Sequence, residues 1–327
     1  MAFREAKGPD SLEPMDIPLA EIGPHEVLVK VGYCGVNPID NAVVSGIYKA
    51  SPIPHIPGVE VVGEVVKAGS QTTFKEGERV INYPRIFCGT CDMCLSAREM
   101  LCRNGGIIGL VTQGCYADYS VLPEASVFRV PDSVSDELAV GLPVGALTAY
   151  HALKRARLTP GERVLIFGSS GNTGLFLVQL AKLFGAEVIA VTRKEWVKEY
   201  GADITISVDM LKEKPDLAGA IDVVVNSLGS KFWEHAIQLL NVAGRLVTFG
   251  VLTGEEAKIN VGALYRREME IIGSTGGSRM DFMQLIRLAS TGALNTKVWK
   301  IFKLDDAPAA IKTLRSEERD GRLHIKP

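Results

Sequence analysis

The chain has 327 residues, 46% of them hydrophobic and 23% charged, with a formal net charge of −2. That length exceeds what one hydrophobic core usually supports, so two domains are expected. The near-neutral balance, with no basic block, gives no footing for nucleic acid or an anionic membrane, and apolar runs such as Val164 to Phe167 are strand-sized rather than membrane-spanning.

The N-terminal stretch MAFREAKGPDSLEP carries no apolar core of signal-peptide length, which predicts a cytoplasmic protein whose thiols stay reduced. Residues 24–130 read as all-β. Short valine-rich segments at 26–30, 61–66, 79–81 and 116–121 are punctuated by Gly and Pro, as in Ile56-Pro57-Gly58. Within them Asn37-Pro38-Ile39-Asp40 is a helix start, with Asn as N-cap, Pro at the first helical position and an acid in the first turn.

Four of the six cysteines then fall within fifteen positions, as Cys88-Gly-Thr-Cys91-Asp-Met-Cys94 followed by Cys102. Four thiolates at this spacing can converge on one tetrahedral Zn²⁺ at about 2.3 Å per sulfur, leaving no open position. Such a site holds a lobe together and performs no chemistry. Unrelated thiols or disulfides are the alternatives, and the tight spacing without an export signal favours zinc. Cys34 and Cys115 lie in strand patterns and read as small buried hydrophobes.

Beyond residue 131 the texture changes. Residues 135–157 read as one helix, closed by Pro160-Gly161. Strands and helices then alternate: a strand at 164–167, a helix at 173–184, a strand at 187–191, a strand at 221–225, a helix at 231–240, and strands at 245–249 and 269–272. Continuous apolar strands between helices predict a parallel sheet covered on both faces. The tail holds two further helices, near 281–290 and 306–316, and a short strand at 323–325.

Between the first strand and helix of that series lies Gly168-Ser169-Ser170-Gly171-Asn172-Thr173-Gly174. The first glycine allows a tight turn, the second a close approach to a pyrophosphate, the third close helix–strand packing. Free N–H groups at the helix start meet the phosphates. In this strand–turn–helix setting the loop predicts dinucleotide binding, an ordinary glycine-rich turn being the plainer alternative. The next strand ends at Val191-Thr192-Arg193-Lys194, with no acid before Glu195. An acid there would hold the ribose 2′-hydroxyl of NAD, whereas two cations suit the 2′-phosphate of NADP(H), so NADP(H) is favoured over the reading of both as solvated side chains.

The cysteine lobe, Gly114-Cys-Tyr-Ala-Asp-Tyr119, Thr148-Ala-Tyr150 and the glycine loop together make the chain resemble the medium-chain dehydrogenase/reductase superfamily over nearly its whole length. The resemblance implies an α/β fold. A GroES-like β-barrel-type catalytic domain would span 1–145 and 273–327, with the zinc lobe at about 85–105, and a doubly wound Rossmann domain would span 146–272. It implies cofactor contacts from Thr148, from Gly168, Ser169, Ser170, Gly171, Asn172, Thr173 and Gly174, from Thr192, Arg193 and Lys194, and from Gly250 and Val251. It also implies a small-molecule substrate and a homodimer or homotetramer.

Zinc alcohol dehydrogenases of this superfamily carry a second, catalytic zinc held by Cys, His and Cys. Here Gly35-Val-Asn37-Pro-Ile-Asp40, Gly58-Val59-Glu60 and Leu142-Pro-Val144 put Asn37, Val59 and Val144 at those three positions. Valine cannot ligate a metal and Asn is a poor zinc ligand. The Gly-Val-Asn-Pro-x-Asp form is similar to the zinc-independent quinone and enoyl reductases, which generally lack the cysteine lobe. The five histidines read as surface or hydrogen-bonded residues. Without a metal to acidify an alcohol, hydride delivery from NADPH to a quinone or to the β-carbon of an enone is the expected chemistry, and the oxygen that gains charge needs hydrogen-bond donors. The resemblance to those reductases implies Asn37 and Tyr48, the latter after Ser45-Gly46, as the candidate donors, although Asn37 serves equally as a helix cap and Tyr48 as a half-buried aromatic. Two other functions stay open: an alcohol dehydrogenase using Asp40, Glu60 or Cys34 as ligands, and a non-catalytic NADPH-binding protein.

Overall fold

The computed structural model describes residues 1–19 and 21–327, with Lys212 described through its backbone alone. They form two compact units, Met1–Val144 with Ser278–Pro327, and Gly145–Gly277. Among the described residues no helix is long and apolar enough to cross a membrane.

The first unit is built on a seven-stranded sheet. Its strands run in the order Val298–Lys303, Arg322–Lys326, Glu26–Gly35, Glu60–Ala68, Arg79–Asn82 and Val127–Arg129, and Tyr119–Pro123 also pairs with Glu26–Gly35. Valine-rich alternation turns Val27, Val29 and Val31 inward, where they meet Val65, Leu122 and Ile325 in one core. Pairing is antiparallel except between Val298–Lys303 and Arg322–Lys326. The register sets Gly35 opposite Glu60 on one side and His324 on the other. A Cβ at Gly35 would lie 2.0 Å from Glu60 Oε2, so the missing side chain is what admits the carboxylate.

Two sequence expectations change here. The strand expected at 116–121 forms at Tyr119–Pro123 instead. The N–H groups of Cys115 and Tyr116 donate to the carbonyls of Gly58 and Pro57, so these residues are bound to another loop and cannot join the ladder. The helix expected over 135–157 is interrupted. Asp136–Ala139 is followed by a π-turn at Leu142–Ala146 before Leu147–Arg155 resumes. Pro143 lies in the interruption, and a proline there lacks an N–H and clashes with the carbonyl four residues back.

The second unit holds six parallel strands in the order Ile204–Ile206, Glu187–Val191, Arg163–Phe167, Ile221–Asn226, Leu240–Thr248 and Glu270–Gly273. By chain position that is 3-2-1-4-5-6, the doubly wound dinucleotide-binding order. Strands such as Arg163–Phe167 are buried on both faces, as the unbroken apolar runs predict. Ile204–Ile206 was missed from sequence, because three residues cannot display a period.

Candidate active site and zinc lobe

The four lobe sulfurs lie at distances of 3.5 Å (Cys88–Cys102), 3.6 Å (Cys91–Cys94), 3.9 Å (Cys91–Cys102) and 4.0 Å (Cys88–Cys94). Sulfurs about 2.3 Å from a central ion stand about 3.8 Å apart along each edge of a tetrahedron. A disulfide needs about 2.05 Å, and all six cysteines are free. The donor set and its spacing therefore fit one structural Zn²⁺. The peptide N–H of Cys91 donates to Cys88 Sγ at 3.4 Å, which favours the Cys88 thiolate, and that of Cys88 donates to Cys102 Sγ at 3.2 Å. The Cys88 thiol is drawn down to about 5, first by the Thr90 peptide and then by the Thr90 hydroxyl, while desolvation pushes Cys94 up to about 12. Arg103 grips Asp92 with two bonds of 2.6 and 2.7 Å, joining the two arms of the lobe.

A second cluster surrounds the three positions that carry catalytic-zinc ligands in zinc alcohol dehydrogenases. Asn37 caps the helix Pro38–Val44, its peptide N–H donating to Asp40 Oδ2 at 2.7 Å. Its side-chain Nδ2 donates to Glu60 Oε2 at 2.7 Å. The N–H of Val144 lies within the π-turn and donates to Glu60 Oε1 at 2.9 Å. Arg322 Nη2 closes the set, donating to Glu60 Oε2 at 2.6 Å. Asn37, Val59, Glu60 and Arg322 are all buried. One carboxylate is thus bonded to two of the three ligand positions, follows the third in the chain, and is neutralised by an internal guanidinium. Burial raises the Asp40 carboxyl to about 7, with the Glu60 charge adding to the effect, although the Tyr116 hydroxyl donates to it at 3.1 Å.

Among the described residues, the cysteine lobe is the one group of three or more His, Cys, Asp or Glu whose ligand atoms converge. Asp40, Glu60 and Cys34 form no second such group, and the Cys34 thiol donates to the Cys115 carbonyl at 2.6 Å. Tyr48 is exposed, with 44% of its surface open, whereas Asn37 is buried. His55 faces the carbonyls of Pro52 and Gly109 at 3.2 and 2.9 Å. His324 departs from the expected surface or hydrogen-bonded role. It is fully buried, neither ring nitrogen has a hydrogen-bond partner, and its ring meets Tyr33 edge-on at 6.1 Å. Sequence reading also missed Arg322. The available signal was one arginine opening the apolar strand Arg322–Lys326, since a charge on a buried strand needs a partner.

In the second unit the strand Arg163–Phe167 ends at Gly168, whose φ of +73° suits glycine. A Cβ at Gly174 would lie 2.0 Å from the Gly168 carbonyl, so the helix Gly174–Leu183 starts this close to the loop because residue 174 has no side chain. The Ser169 hydroxyl turns inward to the Ile166 carbonyl at 2.6 Å, and Ser169 and Asn172 are both buried. Ser170, Gly171 and Thr173 remain partly open, as does Thr148 on the helix Leu147–Arg155. This loop stands at the point where the strand order reverses, between strands one and four. Across it the Ser227 hydroxyl donates to the Phe167 carbonyl at 3.0 Å, and the Thr253 hydroxyl ties the turn holding Gly250 and Val251 to the Leu228 carbonyl at 2.9 Å. At the end of strand two, Thr192 Oγ1 accepts the Lys194 N–H at 3.0 Å and Arg193 is exposed. Glu195 is held elsewhere, by Lys198 at 2.7 Å and the Thr205 hydroxyl at 2.8 Å, and these contacts keep its carboxyl low.

A 3-2-1-4-5-6 parallel sheet with a glycine loop at its switch point, in one chain with a mixed-sheet unit bearing a four-cysteine lobe, defines a nicotinamide-dependent oxidoreductase. Residues 23–132 match the alcohol dehydrogenase GroES-like domain and residues 173–291 the zinc-binding dehydrogenase family. The chain is 32% identical to an NAD-dependent alcohol dehydrogenase of Sulfolobus acidocaldarius, covering 97% of this chain and 96% of that protein. It is 26% identical to an acryloyl-coenzyme A reductase of Sulfurisphaera tokodaii over 95% of each. The solved structure of a thermostable alcohol dehydrogenase from Pyrobaculum aerophilum superposes with a TM-score of 0.94 at 40% identity, covering 100% of this chain and 98% of that one. The chain belongs to the medium-chain dehydrogenase/reductase superfamily.

Proposed function

We propose that this oxidoreductase uses NADPH to reduce an α,β-unsaturated carbonyl compound or a quinone, without a catalytic metal. The observation that carries this reading is the bonding of Glu60: its carboxylate takes hydrogen bonds from Asn37, the Val144 N–H and Arg322, and two of the three ligand positions are valines. An activated double bond needs no metal-bound alkoxide. Held by the glycine loop at 168–174 and by Arg193 and Lys194, NADPH would supply the hydride for the β-carbon; the C=C π electrons would then pass to the carbonyl oxygen, and a proton from water would complete the saturated product. The chain's part is to stabilise that oxygen. Tyr48, with an exposed side chain, is the donor we assign to it, and Asn37 acts by capping its helix and holding Glu60. Arg193 and Lys194, beside a Glu195 already engaged, support the preference for NADPH. The working form is a homodimer or homotetramer, which light scattering checks.

The relatives named alcohol dehydrogenases, among them the Pyrobaculum aerophilum structure at 40% identity, favour alcohol oxidation as the second reading. Zinc per chain, measured on protein purified without added metal, separates the two. About one zinc with NADPH-dependent turnover of enones or quinones supports the proposal, and about two with alcohol turnover replaces it.

A further inference from the structure

Two residues of the cysteine lobe converge on one residue outside it. Phe87, which precedes Cys88, lies with its ring centre 5.6 Å from the Arg279 guanidinium, and the Phe128 ring lies 5.4 Å from the same group. Glu99, between Cys94 and Cys102 and 7% exposed, accepts the peptide N–H of Arg279. Arg279 opens the twelve-residue helix Arg279–Ser290, the first element formed after the chain re-enters this unit at Ser278. The first N–H groups of a helix have no partner within it. Ser278 and Asp281 satisfy two of these donors reciprocally, at 3.1 Å each, and Glu99 takes the next. One turn along, Phe282 lies 5.1 Å edge-on to Phe128 and 6.1 Å from Tyr83, and Tyr83 lies 6.2 Å from Phe87. Aromatic faces beside a guanidinium and a buried acceptor for a peptide N–H each add to the hold.

We propose that the four-cysteine lobe is a latch on the helix Arg279–Ser290. A metal that closes residues 88–102 fixes Phe87 and Glu99, and these two hold Arg279 and the start of the helix in place. Arg279 and Glu99 are positioning residues. The latch does not depend on which substrate the enzyme reduces.

Hydrogen exchange on the full-length, zinc-loaded protein tests it. Stripping the zinc with a chelator is expected to cost the amides of residues 280–290 about tenfold in protection, with the strand Glu26–Gly35 unchanged. Glu99→Met, which removes the acceptor, is expected to give a similar loss in the same helix while zinc stays at one per chain. Glu99→Gln keeps an acceptor oxygen and is expected to retain protection. Should chelation loosen the whole unit, the zinc-loaded Glu99→Met protein decides. A loss confined to residues 280–290 upholds the latch, and unchanged protection there overturns it. Chelation that frees residues 88–102 alone also overturns it.

Discussion

Arg322 donates to Glu60 at 2.6 Å across 262 positions of sequence, and neither side chain reaches solvent, at 1% and 0% exposed. Glu60 holds to Asn37 and the Val144 backbone, and its charge is met by an arginine from the last strand. The C-terminal strand therefore closes a site whose other members come from the first 144 residues.

Breaking that pair from one side strands a buried charge. Arg322→Met is expected to cost about 3–5 kcal/mol in urea unfolding, because Glu60 is left buried without its partner. Glu60→Gln combined with Arg322→Met removes both charges and is expected to recover most of the loss. A single-variant cost below about 1 kcal/mol would mean that the pair is solvated in solution.

Asp40 gives the site a pH dependence of definite sign. Its folded value of about 7 lies above its ordinary 3.8, chiefly through burial, so the folded state binds more protons between those values. Stability contributed by the neutral acid is complete below pH 4 and is lost as pH rises towards 7, with a ceiling on the order of 4 kcal/mol. Asp40→Asn is expected to flatten this slope. Urea midpoints at about pH 5 and about pH 8 measure it, and equal slopes in parent and variant would refute the assignment.

His324 works in the opposite direction. Burial, reinforced by the nearby Arg322 charge, depresses its ring to about 3 from an ordinary 6.5. The folded state therefore binds fewer protons, and the associated stability is present above 6.5 and lost as pH falls towards 3. His324→Phe keeps a ring against Tyr33 and is expected to lessen acid lability in a thermal melt series. An unchanged acid limb would show that another group sets it.

How much of this was legible in the sequence depended on how local each signal was. The glycine loop and the cysteine lobe are short runs whose spacing is their geometry, and both form as spaced. Asn37-Pro38-Ile39-Asp40 likewise forms the expected cap. The Glu60–Arg322 pair was invisible because a strand pairing of residues far apart creates it. The expected helix at 135–157 failed for a related reason. Its apolar period ran through Pro143, and the periodic pattern outweighed the one residue that cannot continue a helix. The inward turn of the Ser169 hydroxyl also lay outside sequence reading, since residue type alone does not say which way a hydroxyl faces.

The cofactor preference has its own test. If each makes a charge-assisted contact to the 2′-phosphate alone, as proposed, Arg193→Ala and Lys194→Ala are each expected to raise KM for NADPH by about tenfold, with KM for NADH nearly unchanged. Equal changes for both cofactors would mean that these residues contact the shared part of the dinucleotide. No change for either would leave them as solvated side chains and remove the basis for preferring NADPH.

Asn37 and Tyr48 are separated by what each would lose. Asn37→Ala removes a helix cap worth about 1 kcal/mol and one donor to a buried carboxylate worth about 1–3 kcal/mol, so the melting temperature is expected to fall. Tyr48 is 44% exposed, and Tyr48→Phe is expected to change stability by no more than about 0.5 kcal/mol. Its effect should fall on kcat, lowered about tenfold or more, with KM for NADPH unchanged, if its hydroxyl steadies the oxygen that gains charge. The pair of variants thus distinguishes holding a site from acting in it. A Tyr48→Phe enzyme with full kcat on every enone and quinone it accepts would take the donor role from Tyr48, and stabilisation of the developing charge would then have to come from backbone N–H groups or from the substrate's own surroundings.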